Sequence, residues 1–186
     1  EMMRAAALLG AALLLAGEGR AQERLAIRAE PGTPVVSTEV LIAAGPADEP
    51  EGKPGLANLA ARTVVAPIMA RLDSLGARLD IAAQKDALTV TVTATPDVWE
   101  SATRILLVAL FRDPPERRWM VAQQRAITTE LAGREANPAD AAVRTTDEAV
   151  FGEDHPWGRS TVGSEESVAA LTMEDVDEFL RASVTS

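Results

Sequence analysis

The segment RLDIAAQKDALTVTVTAT, Arg78 to Thr95, constrains the fold of this chain more than any other. Leu88, Val90 and Val92 alternate with Thr89, Thr91 and Thr93, and a period of two belongs to a strand with one buried face. A second strand precedes it, and a turn near Gln84 to Asp86 joins the two into a hairpin. A lone hairpin is marginal in water, so neighbouring segments must cover its apolar side. PVVSTEVLIAA, Pro34 to Ala44, reads as a further strand. GPADEPEGKPG, Gly45 to Gly55, is a loop in which Pro and Gly forbid regular structure.

The rest of the chain reads as helices. One spans Leu56 to about Val65; a second starts at Pro67, with Ile68, Met69, Leu72 and Leu75 on one face and Gly76 at its end. Pro96 opens a helix to Phe111 with Val98, Ile105, Leu106, Val108 and Leu110 as core. RDPP ends it, and Pro115 opens a long helix to about Arg134. Asn137 and Pro138 cap and start a helix to Phe151. GEDHPWGRSTVGS is a loop, Ser164 caps a short helix, and Thr172 with Asp175 forms a capping box for the last one. This order specifies an α+β sandwich, with helices packed on a largely antiparallel sheet.

Composition narrows the function. The 186 residues are 47% apolar, enough for a sizeable core. The formal net charge is −10, which argues against nucleic acid as a partner, because phosphate binding needs a basic footprint. The same charge favours basic or neutral peptides over acidic ones at long range. There is no cysteine and one histidine, so thiolate sites are impossible and imidazole chemistry has a single candidate. Met2, Met3 and Arg4 followed by the apolar run Ala5 to Ala16 read as a signal peptide, cleaved after Ala21 and before Gln22. That leaves residues 22–186 as one exported domain, expected in the periplasm. The apolar run is too short for a stable membrane span, and the competing reading is a buried N-terminal helix.

Several side chains were weighed for chemistry. His155 lies in a loop with no partner triad in view, which points to packing. Asp48, Glu49 and Glu51 lack the spacing and closing glutamate of a calcium loop. Glu165 and Glu166 charge a helix N-terminus favourably. Trp99 and Trp119 read as core, and Trp157 as a packing anchor for the His155 loop. No Gly-x-Ser-x-Gly elbow supports an alternative hydrolase.

AGPADEPEGKPGLANL resembles the segment leading into the zinc helix of the insulinase, pitrilysin and mitochondrial processing peptidase family. REANPADAA and FGEDHPWGRSTVGSEESVAALTMEDVDEFL are similar to the family's segment after its third zinc ligand. The likeness runs from about Leu25 to the end. It implies a processing-peptidase-like metallopeptidase fold, here an N-terminal domain stopping before its last strand. In that family H-x-x-E-H supplies two zinc-binding histidines and the general base. Aligned on Gly-Leu-Ala, these positions carry Asn58, Ala61 and Arg62; the third ligand falls on Glu130 and a supporting acidic residue on Gln123. Arginine has no lone pair for a metal, alanine cannot take a proton, and asparagine is a poor substitute for imidazole. The resemblance therefore implies a chain with no catalytic residues and no cofactor of its own, zinc being expected only in an active partner. Arg62 and Glu130 are expected either to pair in place of the metal or to stay solvated apart. The implied role is to pair with a catalytically active homologue and complete a peptide-binding chamber. The alternatives are a stand-alone envelope peptide-binding domain and an active metallopeptidase with an unusual site.

Overall fold

The computed structural model describes residues 26, 28, 32–135, 137–152, 155 and 157–185. The signal peptide assigned to residues 1–21 lies outside them. Strands β1 (Val36–Ile42), β2 (Arg78–Ala83) and β3 (Leu88–Ala94) form an antiparallel sheet in the order β1-β3-β2, so the Thr-Val repeat is the central strand. Val40, Val90 and Ile81 lie in one cross-strand row, and Thr38, Val92 and Leu79 in the next. This face is covered by helices. The opposite face carries Ser37, Thr91, Thr93, Arg78 and Asp80, with Thr89 buried among them.

Helix α1 (Leu56–Val65) is the centre of the molecule: Arg62 is its single residue that is not buried. Ala57, Ala60 and Ala61 keep its surface narrow, which lets neighbouring elements approach closely. A 3-10 turn at Ala66–Ile68 passes Pro67 and leads into α2 (Met69–Ser74). Proline at this entry costs no helix hydrogen bond. Helix α3 (Pro96–Phe111) lies on the sheet through Ala102, Ile105, Leu106 and Ala109. Helices α4 (Arg117–Glu135), α5 (Pro138–Phe151), α6 (Glu165–Ala170) and α7 (Met173–Thr185) complete the layer.

The core has two joined parts. Val65, Leu72, Val90, Val92 and Leu106 pack between sheet, α1, α2 and α3. Leu56, Leu59, Leu88, Ile127, Val168 and Val176 pack between α1, α4, α6 and α7. At about 1.5–3 kcal/mol per fully buried aliphatic side chain, these contacts fix α1 against both halves.

Three readings are corrected. Met69 is 45% exposed and Val108 39% exposed, so neither belongs to the core. Met69 sits at the first turn of α2 near Arg78 and Leu79 of β2 but stays open to solvent. Val108 lies off the buried stripe of α3, which is Ala102, Thr103, Ile105, Leu106 and Ala109. The long helix starts at Arg117 rather than Pro115, and the loop Gly45 to Gly55 contains a 3-10 turn at Pro46–Asp48.

Candidate functional site

The N-terminus of α1 is held from three sides. Gly55 has φ 92°, and a Cβ there would lie 2.7 Å from the Val162 carbonyl oxygen. Gly163, at φ 77°, brings the opposing loop so close that a Cβ would meet the Pro54 carbonyl at 2.5 Å. Only glycine combines left-handed backbone with such an approach. Ser167 Oγ donates to the Pro54 carbonyl at 2.9 Å, and Gln124 Nε2 donates to the Val168 and Leu171 carbonyls at 3.0 and 2.9 Å. Lys53 pairs with Asp175 on α7.

The third tether is Glu49. Its side chain turns inward, and its two oxygens accept from the backbone N–H of Gly55 at 3.1 Å and of Ala57 at 2.8 Å. A carboxylate at a helix N-terminus satisfies donors that the helix itself leaves unpaired. Burial nevertheless pushes its carboxyl up to about 7, the N–H bonds and Arg159 acting in the opposite sense. The sequence raised Glu49 only as part of a calcium loop; the structure separates that trio. Asp48 accepts from the Gly45 N–H, Glu49 is buried and Glu51 is exposed.

Beside α1 lies a cleft of about 500 Å³ lined by Asn58, Arg62, Glu130, Arg134, Val162 and the β2 segment Ile81 to Ala83. Arg62 leaves α1 toward α4 and grips Glu130 with both arms: Nη1 donates to Oε1 at 2.9 Å and Nη2 to Oε2 at 2.8 Å. This resolves the two options left by the sequence in favour of the pair. The Arg62 hydrogen bond, with Arg134 adding its charge, holds the Glu130 carboxyl below its ordinary range. Glu130 is more than half exposed, so the pair adds at most about 1 kcal/mol of stability. Ala61 is buried. Asn58 is 5% exposed, and its Nδ2 has no hydrogen-bond partner among the described residues. Gln123, half-buried on α4, does not line the cleft.

These groups do not fit zinc. Arg62 offers donors only, Ala61 offers nothing, and both Glu130 oxygens are already engaged. Among the described residues no group of three or more His, Cys, Asp or Glu side chains is arranged to hold a metal. What the cleft presents is hydrogen-bond donors next to an edge strand.

The remaining sequence candidates are structural. His155 stacks on Phe151 with ring centroids 5.8 Å apart, and its Nδ1 accepts the Trp157 N–H at 3.1 Å. Trp157 also leans on Phe151, as an anchor should, and Lys85 Nζ holds the loop through the Trp157 and Arg159 carbonyls. Glu165 and Glu166 are exposed in the first turn of α6. Trp99, half-buried, donates to Thr38 Oγ1 at 2.8 Å. Trp119 is half-buried under Arg118 rather than fully in the core.

The sequence matches no protein-family model and no curated protein. Solved structures match well. A peptidase M16 inactive domain from Pseudomonas fluorescens superposes with a TM-score of 0.68 at 19% identity, over 80% of this chain and 38% of that one. A chain of complex III2 from Candida albicans gives 0.65 at 19%, over 82% and 35%. Pitrilysin gives 0.74 at 13%, over 83% and 18%. The fold is therefore the M16 domain fold expected from the sequence. The chain spans well under half the length of each of these structures.

Proposed function

We propose that this chain is a non-catalytic homologue within the insulinase and pitrilysin family, exported to the periplasm, that supplies peptide-binding surface to a catalytically intact zinc partner. One observation carries the reading: Arg62 and Glu130 clasp each other where the zinc helix and the third-ligand helix meet, beside the edge strand β2. The likeness to a domain described as inactive agrees with it, and so does the likeness to a chain of a larger complex. A surface that cannot hydrolyse still contributes to catalysis when it holds a peptide at a partner's metal, since positioning lowers the barrier of the chemical step.

The test has two arms. Metal analysis of the purified chain is expected to find far less than one zinc per chain. One tightly bound zinc, lost on Glu130→Ala, would overturn the non-catalytic assignment. An intact H-x-x-E-H homologue from the same cells is then purified with and without this chain, and co-elution and peptide cleavage are measured. Co-elution with an altered rate or substrate range supports the pairing. If the two never associate and cleavage is unchanged, a stand-alone peptide-binding domain takes its place.

A further inference from the structure

The cleft beside α1 has a charge opposite to that of the molecule. Its ionisable lining is Arg62, Arg134 and Glu130, two guanidinium groups against one carboxylate, on a chain of formal net charge −10. Arg62 and Glu130 neutralise each other through two hydrogen bonds. A guanidinium has five N–H donors, so three of those on Arg62 remain after the pair forms. Arg134 stands one turn further along α4, close enough to act on the Glu130 carboxyl. Among the described side chains it pairs with Asp140 at 3.7 Å, beyond hydrogen-bond reach, and both are substantially exposed.

Asn58 supplies the independent observation. Its side chain lines the same cleft, is almost wholly buried, and leaves its Nδ2 without a partner among the described residues. A buried amide N–H that goes unpaired costs about 1–3 kcal/mol, and native structures keep such groups where something else completes them. The two ends of the amide exchange by a half-turn about χ2, so the donor can be presented to a ligand in the cleft. The charged and amide donors at this corner are the Asn58 amide, the remaining Arg62 N–H groups and Arg134, with the Thr161 hydroxyl beside them. Such a corner selects an acceptor carrying negative charge.

We infer that the corner formed by Asn58, Arg62 and Arg134 seats a carboxylate of the bound peptide, either its C-terminus or a single Asp or Glu side chain. The inference rests on the peptide-binding reading above and adds to it a ligand group. It also refines the expectation from net charge. Long-range repulsion disfavours polyacidic peptides, whereas one carboxylate at this corner meets a planar donor fork that matches its geometry.

The experiment uses the full chain and three fluorescent peptides of about eight residues, matched in their neutral, extended sequence. One has a free C-terminus, the second is amidated, and the third is amidated with one Asp. At least one carboxylate-bearing peptide is expected to bind about tenfold more tightly than the amidated neutral one, the size of a charge-assisted hydrogen bond. The free-terminus peptide winning identifies the terminus as the source; the Asp peptide winning identifies a side chain. Arg134→Gln and Asn58→Ala should each erase the difference while Arg134→Lys keeps most of it, with circular dichroism confirming that each variant folds. Equal binding of all three peptides overturns the carboxylate site and leaves peptide binding standing. A tenfold preference that survives both variants also overturns it, because the carboxylate is then held elsewhere. No binding of any peptide overturns both readings.

Discussion

At Glu49 a single carboxylate links pH to the stability of the site helix. Its pKa rises from 4.5 to about 7 on folding because burial outweighs the N–H bonds it accepts. The folded state therefore binds a proton that the unfolded chain has lost between those values. The stability from this group is fully present below the unfolded pKa and disappears as pH rises through about 7, by up to about 3 kcal/mol. Asp80 and Glu130, held low by hydrogen bonds from Arg78 and Arg62, act in the opposite sense but only in more acidic solution. Urea unfolding between about pH 5 and pH 8 isolates Glu49: the wild type should lose stability across this window and Glu49→Gln should be flatter. Parallel profiles for the two proteins would refute the assignment. Thr89 offers a second test, because its hydroxyl is buried with no hydrogen-bond partner among the described residues. Thr89→Val keeps the β-branched shape and removes the orphan, so its melting temperature should rise, by up to about 1 kcal/mol in stability. Residue identity made Asn58, Ala61, Arg62 and Glu130 legible because a family pattern marked their positions. Glu49 was not legible: in a loop of Pro, Gly and acidic residues, sequence alone does not tell a carboxylate turned into a helix end from one in water.

Elements were the most legible level, since their ends carry chemistry that the sequence spells out. Asn137 Oδ1 accepts from the Ala139 N–H at 3.1 Å, Ser164 and Ser167 cap α6 reciprocally, and Thr172 with Asp175 does the same for α7. Periodicity was less reliable at the flanks of helices, where Met69 and Val108 match the apolar stripe yet face solvent. The width of a buried stripe depends on how closely the neighbour approaches, and small residues such as Ala102 and Ala109 set that distance. Close approach also gives the sharpest prediction at this scale. Gly55→Ala forces a Cβ into the Val162 carbonyl in addition to the cost of left-handed backbone, and should destabilise the fold by about 2–4 kcal/mol. Gly52→Ala is the control: φ is 77° but nothing lies within 4 Å, so only the backbone cost of about 1 kcal/mol applies. Denaturant midpoints measured side by side should separate the two, and equal midpoints would show that the Gly55–Val162 contact yields without cost.

The whole molecule depends on a relation that no local pattern contains: β1 pairs with β3 and not with β2, leaving β2 as the strand beside the cleft. Strand order is set by how α1 and α3 cover the sheet, and that packing is tertiary. An edge strand presents a row of unpaired N–H and C=O groups, which an extended peptide can complete as one more strand. If the peptide in the cleft binds this way, its backbone carries much of the affinity, and only alternate residues point their N–H groups at β2. N-methylation of those alternate residues removes donors worth about 0.5–1.5 kcal/mol each and also blocks close pairing, so two such methyl groups should weaken binding at least about tenfold. Methylating the intervening residues should change little. Amide shifts on titration should concentrate in Ile81 to Ala83 rather than in Ser37 to Leu41 on the other edge strand, β1. If both methylation registers bind as well as the unmodified peptide, the cleft grips side chains and termini alone, and pairing with β2 is excluded as the mode of binding.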